Sequence, residues 1–335
     1  MVAALVSSAF AAEPTITEVA PVEQSGIYAP GPWVVGSTPK IVEISSIVSD
    51  GVNIVGQAKT GSYVSFEIGR IESGDNRIDI STNAGDITLG DVQGGYLNIS
   101  TQKGNITLTG NIHASDKDSY GQSTSSIAVS TEGEPGTIIF DGATISNVGI
   151  RNAWYDESYN ASYGSYVVSG NTALKDVYFE GGVLEVAAGA SLTLDNVLFA
   201  TTEDSNNGIP AKTGLTIGDN ATLTINAGDN LGDTELLNVK ELQIGKGVEI
   251  VVTLSNEKFL DLEDSEIKLF SVVDGTVDFS NVVFTFTNGE EYKTGNITST
   301  GGTIFIQDTH IVPEPTTATL SLLALAGLAA RRRRK

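Results

Sequence analysis

Asp79-Ile80-Ser81-Thr82-Asn83-Ala84-Gly85-Asp86-Ile87-Thr88-Leu89 recurs nineteen positions later as Asn98-Ile99-Ser100-Thr101-Gln102-Lys103-Gly104-Asn105-Ile106-Thr107-Leu108. Each copy holds two short runs of alternating apolar and polar residues separated by a turn, the pattern of half-buried strands. A second family begins at Leu184-Glu185-Val186, Leu215-Thr216-Ile217 and Leu242-Gln243-Ile244, and each member is followed by a turn and a second strand (Leu192 to Leu194, Leu223 to Ile225, Ile250 to Val252), at offsets of 31 and 27 residues. Such periods suit a parallel β-solenoid, in which each turn of chain stacks on the last at about 4.8 Å. Ile, Leu and Val would then stack inward, Thr and Ser face water, and Gly or Asn take left-handed corners. The expected fold class is therefore all-β, a single-stranded, parallel, right-handed β-helix or solenoid. A β-sandwich also strings short strands between turns and is the alternative. The paired strand-turn-strand repeats favour the solenoid.

Composition points the same way. The 335 residues include 37 Gly, one Met and no Cys, and the rest is rich in Thr, Ser, Asn, Val and Ile. Without Cys the chain has no disulfide framework, thiolate metal site or cysteine nucleophile, so packing and hydrogen bonds must hold it together. The formal charge is −22, and setting aside five cations at the C-terminus leaves 14 basic against 41 acidic residues. A surface of that sign repels phosphate backbones, which argues against nucleic acid as a partner.

Several segments stand apart from the repeats. Residues 12–40 hold Pro14, Pro21, Pro30, Pro32 and Pro39, five of the nine prolines, and read as a Pro-rich linker or cap in which Trp33, Val34 and Val35 form a lid. The repetitive body is expected over 41–311. Near its end, 256–266 is expected as a short helix or charged loop, and Ile267–Val273, Val277–Phe286 and Thr303–Ile306 as closing strands. Residues 1–11 look like the end of a secretory signal peptide, with Ala9 and Ala11 as the small residues of the cleavage site. The basic start of such a signal is missing, so this segment is read as N-terminally truncated.

The C-terminus has a tripartite plan: Pro313, Glu314 and Pro315, an uncharged run from Thr316 to Ala330, then Arg331, Arg332, Arg333, Arg334 and Lys335. Fifteen residues of helix would reach about 22 Å, short of a hydrocarbon core of about 30 Å. Long basic side chains that reach back to the interface extend such a span and hold its charged end in the cytoplasm. A short C-terminal transmembrane helix over about 316–330 is therefore expected, with the body outside.

Residues 312–335 resemble the PEP-CTERM signal. That resemblance implies a chain recognised at Pro313-Glu314-Pro315 by a transpeptidase-like exosortase in a Gram-negative-type envelope. The partners it implies are the export machinery, the processing enzyme and the membrane. The Gly-Asn-Ile-Thr-Leu and Gly-Ala-Ser-Leu-Thr-Leu units resemble, in repeat style, the passenger regions of autotransporter-like adhesins, although the sorting tail stands where a translocator barrel would follow.

Chemistry is sparse. Of two histidines, only His113 lies among candidate partners, and no Gly-x-Ser-x-Gly elbow accompanies it. Asp229 to Glu235 has spaced oxygen donors but lacks the later glutamate and the glycine of a calcium loop. Solenoids host polysaccharide lyases and glycoside hydrolases, yet such chemistry wants cations, and the central body offers only Arg70, Arg77 and Arg151 as arginines. The one ligand-like stretch carries Trp154, Tyr155, Tyr159, Tyr163 and Tyr166 among Asn, Asp and Ser, a mixture that can stack sugar rings and bond their hydroxyls. The expectation is a non-enzymatic, exported cell-surface or extracellular-matrix structural protein with no cofactor, metal site or catalytic residue. The alternatives are a glycan-binding adhesin, with extracellular polysaccharide as partner, and a β-helical glycan-active enzyme.

Overall fold

A computed structural model describes residues 14–59, 61–116, 125–129, 136–151, 153–155, 161–199, 213–229, 237–262, 267–272, 279–300 and 303–312. The described chain is all-β apart from one short helix, and 29 strands join in a single sheet.

The sheet is built as three parallel ladders that the chain visits in rotation. In the first ladder Thr17, Val42, Phe66, Ile87, Ile106, Ile138, Tyr166, Leu184, Leu215 and Leu242 pair one after another, each with the residue one turn later. The second ladder sets Val22, Ile47, Ile71, Val92, Ile112, Ile145, Leu174, Leu194, Ile225, Val252 and Phe286 in the same way. The third runs Ile54, Ile80, Ile99, Ile127, Ile150, Phe179 and Phe199. Beyond Thr17 and Val22 these positions are buried, and all three ladders deliver into one apolar core. The equivalences read between the repeats are the observed pairs, Ile80 with Ile99, Leu184 with Leu215 and Leu223 with Ile250.

The turns between ladders are held by two devices. At the bends into the first ladder, a side-chain oxygen accepts a backbone N–H from the next turn: Ser65 Oγ from Asp86, Asp86 Oδ1 from Asn105, and Asn105 Oδ1 from Thr137, at 2.7 to 3.0 Å. Backbone donors that leave the ladder at each bend are satisfied in this way. Glycine supplies the second device: the expected left-handed corners occur, as at Gly189, Gly247, Asn196 and Asn220 with φ of 72°, 66°, 52° and 56°, and a second reason operates beside them. Gly85 does take a positive φ of 128°, whereas Gly104 and Gly136 do not need one. A Cβ on Gly104 would collide with the carbonyl oxygen of Gly85, and one on Gly136 with that of Gly104. Close stacking of successive bends, more than backbone handedness, excludes a side chain there.

Three segments differ in detail from the expectation. The Pro-rich segment is part of the sheet: Thr15–Val19, Val22–Glu23 and Trp33–Val35 are strands paired with Lys40–Ile44, Ile47–Val48 and Val52–Ala58. Among the described residues the ladders therefore start one turn earlier than Ile41. The prolines fall in the bends or next to strand ends, and only the following turn makes demands on this outermost strand, so their missing N–H groups cost little. The closing strand expected from Val277 begins at Val283, after a turn. The strand from Thr303 runs well past Ile306, to Val312.

At the C-terminal end the parallel order stops. Val283–Thr287 still pairs in parallel with Glu249–Leu254, but Tyr292–Thr300 pairs antiparallel with it, and Thr303–Val312 pairs antiparallel with both Tyr292–Thr300 and Ile267–Val272. The helix Asn256–Leu260, expected in this region, lies over that end, with Ser255 Oγ accepting from Lys258 N and Phe259 fully buried. Lys293 follows Phe286 in the second ladder. Its side chain is buried, its Nζ donates to the Phe259 carbonyl at 2.7 Å, and it lies 4.6 Å from the centre of the Phe259 ring.

Candidate functional site

Two regions carry functional candidates, and the first is the C-terminal strand. Thr303–Val312 lies between two neighbours as far as Ile306, which pairs with both Ile267 and Ile297. Beyond Ile306, among the described residues, it has only Tyr292–Thr300 beside it. The register slips between Asn296↔Gln307 and Thr294↔His310, so Asp308 and Thr309 form a bulge. Three pairs remain past the bulge: Thr294 with His310, Lys293 with Ile311, and Tyr292 with Val312. The exposed His310 Nε2 and Thr294 Oγ1 meet at 3.1 Å. Val312 is bonded directly to Pro313, so the folded sheet reaches the edge of the expected sorting motif with no intervening loop. The strand expected over Thr303–Ile306 continues through His310-Ile311-Val312.

Pro313, Glu314 and Pro315, the span 316–330, and Arg331, Arg332, Arg333, Arg334 and Lys335 lie outside the described residues, as do Ala9 and Ala11. Among the described residues no helix is long and apolar enough to cross a membrane.

The second region is the aromatic stretch, which the structure divides. Ala153–Tyr155 and Ala161–Tyr163 form a two-stranded antiparallel ribbon inserted between Arg151, at the end of the third ladder's strand, and Ser165, at the start of the first ladder's strand. Its register pairs Ala153 with Tyr163, Trp154 with Ser162 and Tyr155 with Ala161. Tyr159 lies outside the described residues. Tyr166 is a correction: it occupies the first ladder's inward column at 1% exposure, edge-on to Phe179 at 5.1 Å, and offers no surface to a ligand. Close by, sequence reading missed Tyr178, which is 45% exposed and paired in register with the exposed Leu198. Its alternation with the buried Val177 and Phe179 marks an outward position.

The polar candidates form local pairs. His113 Nδ1 lies 2.7 Å from Ser146 Oγ on the exposed side of the second ladder. Arg70 is bonded to Glu72, and Arg77 to Asp79 through Nε at 2.5 Å and Nη2 at 2.8 Å. Asn98 also donates to Asp79, and Arg77 lies over the Tyr96 ring at 4.7 Å. Partial burial pushes the Asp79 carboxyl up, but the hydrogen bonds from Arg77 and Asn98 and the guanidinium charge more than offset it and hold the group below its ordinary value. Both arginines are thus committed to carboxylates two residues further along the chain. A column missed at the sequence level is Glu18, Glu43 and Glu67, stacked in register on the first ladder at the edge of a shallow groove. The recurring Thr-Glu-Val, Val-Glu-Ile and Phe-Glu-Ile triplets were its signal. Of the calcium-loop candidate only Asp229 is described, and among the described residues no group of three or more acidic or histidine side chains could hold a metal ion.

Residues 312–335 match the family model of the PEP-CTERM protein-sorting motif. The motif implies an exported, surface-directed chain that is sorted and processed by an exosortase-type enzyme. The chain matches no curated protein and no solved structure.

Proposed function

We propose that this chain is a non-enzymatic structural protein of the cell surface or extracellular matrix, whose body is a right-handed, three-sided β-solenoid. The observation that carries this reading is the near-unbroken register of three parallel ladders leading to a strand that ends at the sorting motif. About ten turns at about 4.8 Å make a rod of roughly 50 Å, a reach suited to a stalk. The acidic exterior keeps such rods soluble and apart. In this reading the tail is an address that brings the rod to the membrane and is then removed, and 316–330 is a brief membrane span.

The test is fractionation of cells that make the full chain, with mass spectrometry of the C-terminus. The expected result is envelope or extracellular protein lacking the residues that follow the motif. Recovery of cytoplasmic protein with an intact Lys335 would overturn the sorting reading.

A second reading is favoured by one observation, the ribbon inserted at Ala153–Tyr163 in an otherwise compact turn. Insertions that interrupt a regular scaffold are where binding residues concentrate. Trp154, Tyr155 and Tyr163, with the exposed Tyr178 near the same bend, would give a glycan-binding adhesin. Loss of binding to immobilised extracellular polysaccharide in Trp154→Ala or Tyr155→Ala, with unchanged thermal unfolding, would support it. Equal binding by these variants and the parent would remove it.

A further inference from the structure

We infer that the last three residues of the final described strand, His310, Ile311 and Val312, are a strap that must unzip before the tail can be processed. This rests on the sorting reading proposed above and adds a conformational step to it.

The argument starts from what a processing enzyme needs. A chain enters a peptide-cleaving site as an extended segment, with several residues accessible on both sides of the bond to be broken. Here the residues on the N-terminal side of Pro313 are already engaged, since Val312 is paired with Tyr292 and Ile311 with Lys293. Lys293 is itself held in the core by the Phe259 carbonyl, so this neighbour cannot simply swing away with the tail. The sorting motif is therefore presented flush against the protein body.

The same geometry supplies a way out. The bulge at Asp308 and Thr309 interrupts the ladder between the strand's two-sided portion and its last three residues. A ladder interrupted by a bulge loses pairing cooperativity there. Past the bulge only one neighbouring strand remains among the described residues, and the side-chain link across it, Thr294 with His310, is exposed to water. The three terminal pairs can open while Thr303–Ile306, between its two neighbours, stays in place. Such local openings require far less free energy than global unfolding. Opening would add residues 310–312 to the extended segment in front of the motif, with Asp308 and Thr309 as the hinge. Processing would then report that the final strand has been built, since the motif is held in this position only when Tyr292–Thr300 and Thr303–Val312 have paired.

The register offers a direct lock. Tyr292 and Val312 are cross-strand partners, and the chain has no cysteine of its own. A Tyr292→Cys/Val312→Cys variant can be closed with a mild thiol oxidant and reopened with a reductant, given that directly opposed antiparallel residues lie within disulfide reach. Full-length protein in membranes from the processing host is followed by mass spectrometry of the tail. The oxidised variant is expected to lose its tail roughly tenfold more slowly than the same variant reduced, because the lock removes the local opening. A six-residue Gly/Ser spacer between Val312 and Pro313 should restore processing of the oxidised form, which shows that the fold and the motif are intact. Equal rates for oxidised and reduced protein would overturn the inference, and so would a spacer that leaves the locked form unprocessed. Parent protein that keeps its tail in that host, or a Pro313→Ala/Pro315→Ala variant that loses it at the parent rate, would instead overturn the sorting reading on which the strap depends.

Discussion

The two ends of the ladders solve one problem in opposite ways. A stack of parallel strands leaves an apolar core open at each end and a row of unpaired backbone groups on each terminal strand. At the N-terminal end the core columns begin with the partly exposed Thr17 and Val22. Half-buried Trp33 packs on the core there, with Lys40 Nζ 5.4 Å from the centre of its ring. Prolines sit beside or between the outermost strands, where their shape and missing donors discourage another chain from pairing. At the C-terminal end the chain reverses, pairs antiparallel with itself, and lays a helix over the core, pinned by a buried lysine. The first end is blunted by composition, and the second is closed by topology. Only the second must also hand over a tail, and topology places that tail at the margin of the sheet.

The comparison can be broken most severely at Phe259. Its side chain is fully buried, so Phe259→Ala is expected to destabilise the protein by about 3–5 kcal/mol. Denaturant unfolding checks this. Trp33→Ala at the other end should cost less, about 1–2 kcal/mol, since Trp33 is only partly buried and its buried Nε1 has no hydrogen-bond partner to lose among the described residues. Equal losses in the two variants would mean that both ends are closed by packing and that the contrast is wrong.

A smaller effect is expected from acid. Asp79 belongs to the third turn, close to the N-terminal end, and its folded carboxyl is held below its ordinary value. A depressed carboxylate contributes stability that is present above the unfolded value and lost as pH falls through the folded one. Stability should therefore decline from about pH 4 downward, and Asp79→Asn should flatten that decline while leaving the C-terminal closure unchanged. Thermal unfolding from pH 7 to pH 2 measures both. An acid limb that keeps its full slope in Asp79→Asn would exclude the Arg77–Asp79–Asn98 group as its source. The smallest change in stability, within about 0.5 kcal/mol, is expected for Pro21→Ala at the outermost turn. Its effect should appear as concentration-dependent association in analytical ultracentrifugation, because a donor is restored on an edge. A monomer at every concentration would show that proline is not what protects this end.

How much was legible depended on whether neighbouring turns resembled one another. Where repeats are close in length, as in 79–108, sequence similarity and strand register are the same statement, because stacked residues face the same environment. The pairing of Ile80 with Ile99 could be read directly. Where a turn has no visible copy, the signal fails. Ser165-Tyr166-Val167-Val168 is one more rung of the first ladder, but its inward tyrosine was assigned to a ligand surface because it follows a run of exposed-looking aromatics. The prolines of 14–39 likewise argued against strands, since local propensity does not reveal that a strand is outermost and has a neighbour on only one side. The alternation of Val177, Tyr178 and Phe179 was visible, but only the ladder shows which member faces water.

The sequence by itself determined the all-β class, the alternation that divides inward from outward residues, the turn-to-turn equivalences within each repeat family, and the sorting motif at 312–335. These follow from local chemistry, from periodicity and from short patterns that carry their meaning in one dimension. Tertiary structure alone decided where the ladders begin and end, why Gly104 and Gly136 must lack a side chain, that Tyr166 is core, and that the last strand runs flush to Pro313. Each of these depends on what lies one turn away across a distance of about 5 Å, as Ile80 and Ile99 do although 19 residues separate them along the chain.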